Sequence, residues 1–357
     1  MARGSSPALL GSARALPPHF VEQETLLAAF RKLWAREHFN LDRLEALHRA
    51  VRVGGRNLAL PLEEYEALTS FAARNDAWTR VAVELGEQAL RAALDNAGLG
   101  PRDLDQLVFV TVTGIATPSI DARLIDRLGL RPDLKRMPIC GLGCVAGAAG
   151  LARASDLVRG YPGGTCALLS VELCSLTLQQ QDFSIQNIIA SGLFGDGAAA
   201  VILGGSEREK AGLPRVAATR SVFYPGTERV MGWDVVDSGF KVVLSAQVPQ
   251  VVRDHIAQDV DSFLADNGLR RGDIQHFIAH TGGPKVLEAF EESLELPKDA
   301  LRRSWASLQA VGNLSSASVL FVLDELLRSG EPRPGDIGLL LAMGPGFCSE
   351  LVLLEWP

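Results

Sequence analysis

One instruction is written twice in this chain. Leu94-Asp-Asn-Ala-Gly-Leu-Gly-Pro-Arg-Asp-Leu104 lays onto Leu264-Ala-Asp-Asn-Gly-Leu-Arg-Arg-Gly-Asp-Ile274, with Gly98 opposite Gly268 and Asp103 opposite Asp273, 170 residues apart in both cases. A run of buried-strand character follows each copy, from Leu107 in the first and Phe277 in the second. A glycine-introduced helix comes next in each, at Gly143-Cys144 and at Gly312-Asn313. A second apolar strand closes the series, Ala167 to Val171 and Gly338 to Ala342. The same features in the same order at nearly one offset point to duplication. The expected fold class is therefore α/β: two halves, each a mixed sheet covered by helices, packed around a shared centre. The boundary is expected within Gly204 to Gly212, dividing the chain into residues 1–207 and 208–357.

Local patterns fill in this plan. Ala8 to Leu16 reads as a strand ended by Pro17-Pro18, and Val21 to His38 as an amphipathic helix with Leu26, Leu27, Phe30 and Leu33 on one face. Leu41 to Val53 reads as a second helix, Pro61 to Ala72 as polar and helix-like, and Asp76 to Ala97 as a long helix stopped by Gly98. Leu107 to Val112, Cys166 to Val171 and Ala198 to Leu203 are apolar enough for strands buried on both faces.

The chemistry gathers at the two glycine-led helix starts. Cys144 precedes a run of small helix formers, Ala146 to Ala154. A thiol in a first helical turn lies in the positive end of the macrodipole, which favours thiolate. Pseudo-symmetry puts Asn313 at the equivalent start, facing Cys144 across the interface between halves. The strand before it runs Phe277-Ile-Ala-His280, so an imidazole reaches the same point. A thiol, an imidazole and a carboxamide together suit nucleophilic attack with an oxyanion held by hydrogen bonds. Taken singly, each residue also has a plain packing role; Asn313, for example, suits the cap of a helix from Leu314 to Leu327.

Bulk properties exclude several classes. The net charge of −7 removes a general attraction to nucleic acid or anionic membrane. No apolar run is long enough to span a bilayer, and Met1 to Pro18 lacks a signal-peptide pattern. The five cysteines are odd in number and hold no Cys-x-x-Cys pair, which fits free thiols in a reducing cytoplasm and no structural zinc site. Cys, His and Asn in this order also occur in papain-like proteases, but there the cysteine lies near the mature N-terminus and an aromatic residue follows it, whereas Val145 follows here.

Five motifs in order resemble the type III polyketide synthases, the chalcone synthase-like enzymes: Gly143-Cys-Val-Ala-Gly147, Leu193-Phe-Gly-Asp-Gly-Ala-Ala-Ala200, Ile278-Ala-His-Thr-Gly-Gly-Pro284, Gly312-Asn-Leu-Ser-Ser-Ala317 and Met343-Gly-Pro-Gly-Phe347. The resemblance runs from about Leu10 to Trp356. It implies the thiolase-like αβαβα fold, a homodimer, CoA thioesters as substrates and no metal or redox cofactor. It implies a catalytic triad at Cys144, His280 and Asn313, and gatekeeping aromatics at Phe194 and Phe240. Cavity positions then fall on Cys174, Thr177, Ser315, Gly344 and Pro345. CoA-binding positions fall on Arg49, Arg56, Gly282, Gly283 and Lys285, with the three cations at a basic tunnel mouth.

Ser170-Val-Glu-Leu-Cys-Ser-Leu-Thr177 departs from the plant members, which usually carry threonine where Cys174 stands. Leu176 to Ser184 and Ile189-Ala-Ser191 look most like bacterial synthases that extend long-chain acyl-CoA starters into alkylpyrones or alkylresorcinols. The alternative is a malonyl-CoA-primed tetrahydroxynaphthalene synthase, which shares the Val-Glu-Leu-Cys-Ser-Leu-Thr string. A ketoacyl synthase working on a carrier protein, or a non-catalytic acyl-binding protein, would share the fold as well.

Overall fold

The computed structural model describes residues 6–35, 40–208, 210 and 212–357. Its strands are β1 (Ala8–Ala15), β2 (His19–Glu22), β3 (Gly55–Leu58), β4 (Gln106–Thr111), β5 (Lys135–Cys140), β6 (Thr165–Leu173), β7 (Asp196–Gly204), β8 (Arg215–Phe223), β9 (Met231–Val236), β10 (Gly239–Leu244), β11 (His276–Ala279), β12 (Ile337–Gly344) and β13 (Cys348–Glu355). The helices are α1 (Gln23–Trp34), α2 (Leu41–Arg49), α3 (Phe71–Ala97), α4 (Ile120–Leu128), α5 (Ala146–Arg159), α6 (Ile185–Leu193), α7 (Val248–Asp266), α8 (Pro284–Ser293), α9 (Arg302–Val311) and α10 (Ala317–Ser329).

The repeated string has a physical meaning. Gly98 and Gly268 are left-handed, at φ 68° and 73°, and each ends a long helix. A short 3₁₀ turn follows, in which Asp103 accepts from Gly100 N at 2.8 Å and Asp273 accepts from Arg270 N at 2.7 Å. The chain then enters β4 or β11. Duplication extends to topology. The sheet order β4-β6-β7-β1 is matched by β11-β12-β13-β8, with one parallel pair and then two antiparallel pairs in each. The two half-sheets are not separate, as the sequence led us to expect. They join edge to edge between β1 and β8, through the single pair Ala8 and Arg215, into one nine-stranded mixed sheet.

Helices make five layers of this. α3 covers the outer face of the first half, where Ala82, Ala89, Ala93 and Ala97 bring its backbone close to β1 and β7. α7 and α8 cover the outer face of the second half. α5 and α10 lie between the two half-sheets and share one core with residues of both. β6 and β7 are buried along their whole length because helices cover both faces. Gly147 lets the two central helices touch: a Cβ there would lie 2.1 Å from the Ser316 carbonyl oxygen.

Several local expectations shift. The expected first helix loses Val21 and Glu22 to β2, which pairs with β3; its far end at His38 lies outside the described residues, as do 209 and 211 of the expected boundary. The second helix stops at Arg49 rather than Val53, and Val51 and Val53 turn into the second-half core. Pro61 to Ala72 is a 3₁₀ turn (Leu62–Ala67) and then the start of α3, capped by Ser70, whose Oγ accepts from Ala73 N at 3.1 Å. No helix among the described residues is long and apolar enough to cross a membrane.

Candidate functional site

Cys144 sits in a 3₁₀ turn, Gly143–Val145, that leads into α5. The turn is possible because residue 143 is glycine. Its φ is +56°, and a Cβ would meet Pro345 Cγ at 2.6 Å. Pro345, just beyond the Gly344 end of β12, therefore rests directly on the cysteine turn. The Cys144 sulfur is buried, 3.7 Å from Ser315 Oγ.

His280 follows β11, with its N–H still donating to Leu341 O at 3.0 Å. The ring is 3% exposed, and neither ring nitrogen has a hydrogen-bond partner among the described residues. Unpaired buried polar atoms are costly, so two on one ring make His280 a candidate for a site. Asn313 is not the helix cap. Its backbone forms a strand-like bridge with Phe194: Asn313 N donates to Leu193 O, and Gly195 N donates to Asn313 O, both at 2.9 Å. Its Oδ1 accepts from Ser315 N at 2.8 Å and from Ser318 Oγ at 3.3 Å. With the carbonyl end so held, the NH₂ end remains as donor. Ser315, at φ +48°, is a strained residue of the kind found where geometry matters more than stability.

Ser315 thus touches both Cys144 and Asn313, while Asn313 and His280 line one small cavity of about 20 Å³ with Phe194, Gly282, Met343 and Phe347. Burial opposes charge at both reactive groups. It pushes the Cys144 thiol up to about 12, against a smaller downward pull from Ser315, and the His280 imidazole down to about 4. A thiolate at Cys144 therefore needs a base such as the imidazole to take its proton and pair with it.

Phe194 also borders a second cavity, of about 620 Å³, walled by Cys174, Thr177, Trp233, Val242 and the inner face of α1. Cys174 and Thr177 lie in this wall, whereas Ser315 lies against Cys144. Phe240 is a correction: it packs edge-on against Phe71, with ring centroids 5.3 Å apart, and lines neither cavity. Trp233 and Val242, paired across the β9–β10 hairpin, occupy the wall in its place. Sequence reading passed over that hairpin, although Asp237-Ser238-Gly239 is a turn signal. Arg56 is a second correction. It is 1% exposed and cannot serve a tunnel mouth; it donates to Phe194 O at 3.0 Å and to Gln23 Oε1 at 2.6 Å. Arg49 is exposed but spends both fork nitrogens on Glu24 at 2.9 Å. Lys285 is exposed in the first turn of α8, next to Gly283 at its start.

Glu172 was missed altogether. It is fully buried on β6, accepts from Thr113 Oγ1 at 2.8 Å and Val112 N at 3.1 Å, and is bonded by Ser316 Oγ. Burial outweighs these bonds and lifts its carboxyl to about 7. The folded state then binds a proton that the unfolded state releases near 4.5, so Glu172 weakens the fold as pH rises from about 4.5 to about 7. Glu172→Gln should flatten that part of the pH–Tm profile and raise Tm at pH 7 relative to pH 5. Parallel profiles for the two proteins would contradict it.

Comparison with known proteins fits this geometry. The chalcone and stilbene synthase N-terminal domain matches residues 1–207, and the C-terminal domain of the same family matches residues 215–356. A 1,3,6,8-tetrahydroxynaphthalene synthase of Streptomyces peucetius subsp. caesius is 51% identical over 356 residues, covering 99% of this chain and 94% of that one. A putative chalcone synthase of Bacillus subtilis (strain 168) is 36% identical over 358 residues, covering 98% of each. The crystal structure of 1,3,6,8-tetrahydroxynaphthalene synthase from Streptomyces coelicolor A3(2) superposes with a TM-score of 0.93 at 31% identity, over 98% of this chain and 99% of that one. The chain belongs to the chalcone and stilbene synthase family: it is a thiolase-fold type III polyketide synthase, an acyltransferase that condenses CoA thioesters.

Proposed function

We propose that this enzyme is primed by malonyl-CoA itself and makes a tetrahydroxynaphthalene by repeated decarboxylative condensation and ring closure. The observation that carries this reading is the likeness, at 51% identity over 99% of the chain, to a protein named for that product. Among the bacterial relatives that match, others are named for 3,5-dihydroxyphenylacetyl-CoA and phloroglucinol synthesis. None of these names calls for a long-chain acyl starter, so the alkylpyrone expectation gives way to its alternative. An aromatic ring system with alternating oxygens is what unreduced malonyl extension yields.

In this reading Cys144 gives its proton to His280 and attacks the starter thioester; the C–S bond to CoA breaks and CoA leaves as its thiol. Malonyl-CoA then loses carbon dioxide, and the electrons of the broken C–C bond become an enolate. His280 Nε2–H and the Asn313 NH₂ donate to the enolate oxygen. The enolate carbon attacks the Cys144 thioester, and the sulfur leaves as thiolate, ready to take up the lengthened chain again. Water is kept out by the burial of the site, so the enolate meets the thioester before a proton. The chain grows into the larger cavity past Phe194, with Cys174, Thr177 and Trp233 as its wall. Gly282, Gly283 and Lys285 are proposed for the pantetheine and phosphate end.

We further infer a homodimer, divided within each chain into halves at residues 207 and 208. The edge strand β5 supports a second copy: its Met137 is 38% exposed. The free cysteines suit a cytoplasmic enzyme.

Incubation with malonyl-CoA alone, and with a ladder of acyl-CoA starters up to long chains, tests the substrate. The expected result is one dominant product from malonyl-CoA alone, with the mass of tetrahydroxynaphthalene or its air-oxidised quinone. Product only when a long acyl-CoA is present would overturn the priming assignment and restore the alkylpyrone reading.

A further inference from the structure

The loss of Arg56 from the tunnel mouth leaves a buried cation to explain. It lies in the wall of the larger cavity and is only 1% exposed. Burial pulls its ionisation down to about 10, partly offset by Asp196, so it stays charged at neutral pH. A charge held inside a protein costs several kcal/mol unless its partners are well placed, so its bonds show what the fold retains it for.

Those bonds lead to the catalytic segment. Nη1 donates to the Phe194 carbonyl at 3.0 Å, and Nη2 donates to Gln23 Oε1 at 2.6 Å. Gln23, the first residue of α1, in turn donates to Gly192 O at 3.0 Å and His48 O at 3.2 Å. Phe194 is the residue that the two cavities share, and its neighbours Leu193 and Gly195 exchange backbone hydrogen bonds with Asn313. Beyond it, Asp196 is held by Ala59 N at 2.6 Å and Ser175 N at 2.8 Å. The segment 192–196 is therefore clamped on both sides, and among the described residues Arg56 is the clamp that grips the Phe194 carbonyl itself.

We propose that Arg56 is a positioning residue of the condensing site: by holding the Phe194 carbonyl it fixes the bridge that aims Asn313 and the ring that divides the two cavities. The inference rests on the condensing role given to Asn313 above. A side chain that merely filled space here would affect stability alone. One that sets the Phe194–Asn313 bridge affects two readouts together, the rate of enolate formation and the length to which the chain grows before release. Misplacement of a catalytic group by about 1 Å is enough for a hundredfold loss.

The test uses full-length protein with Arg56→Met, Arg56→Lys and Gln23→Met, each checked for folding by thermal melt. Carbon dioxide release from malonyl-CoA and the product-length distribution are read on the same samples. For Arg56→Met the expected result is a kcat lower by about ten- to hundredfold with KM within about twofold, and a shift towards shorter, early-released chains. Arg56→Lys should recover part of both readouts, because an ammonium restores the charge opposite Asp196 and one donor to Phe194. Gln23→Met should shift them in the same direction but less. Folded Arg56→Met with wild-type rate and wild-type product lengths overturns the proposal. If Arg56→Met does not fold, wild-type behaviour of both other variants overturns it equally. A wild-type protein that releases no carbon dioxide and forms no polyketide fails the functional reading itself, and this inference with it, before any variant is compared.

Discussion

Cys144→Ala is expected to lower polyketide formation by about four orders of magnitude or more, with folding intact. The loss is large because no other group offers a covalent anchor beside Asn313. Ser315, the nearest hydroxyl at 3.7 Å from the sulfur, has no base of its own. The fold should hardly notice. Removing one buried sulfur from a turn already held by Gly143 and Pro345 costs about 1 kcal/mol, a Tm change of a few degrees. Undiminished condensation by the variant would remove Cys144 from the chemistry; loss of both fold and activity would mean that it is a packing residue.

Gly147→Ala should have the largest effect on the fold. The new methyl would stand 2.1 Å from the Ser316 carbonyl oxygen and 2.9 Å from Val319 Cγ1. The first of these is backbone, so the helices must separate. Overpacking of this kind costs about 3 kcal/mol, or roughly 5 °C or more in Tm. It should also cost activity beyond the loss of folded protein, because α5 carries Cys144 at its head and α10 follows Asn313. Gly150→Ala is the control on the same helix: its methyl meets the end of the Leu168 side chain at 2.5 Å, a flexible group rather than backbone. Equal melting of the two variants would place the helix contact elsewhere.

The duplication was legible because Gly98 and Gly268 do one conformational job, and that job requires glycine. Cys144, His280 and Asn313 were legible because each follows a strand or glycine whose place the duplication fixes. Their ionisation was not. The macrodipole argument is local, whereas burial by both halves is tertiary and pushes the thiol the other way. Arg56 was misread for the same reason: a cation in a polar string looks like surface until Gln23 and Phe194 close over it. Phe240 was misassigned because β9 and β10 lie outside the repeated plan, and only their register places Trp233 and Val242 at the cavity. β5 was missed because its exposed pattern carries no apolar period.

The growing chain is expected to be attached at the Cys144 sulfur. Protein quenched in acid during turnover of malonyl-CoA, then digested and sequenced by mass spectrometry, answers this directly. Cys140 and Cys144 lie in one tryptic peptide between Arg136 and Arg153, so fragmentation has to separate them. The predicted result is an acyl mass on Cys144 and none on Cys140, Cys166, Cys174 or Cys348. An acyl group on any of those four, or product formed with Cys144 never modified, would contradict it.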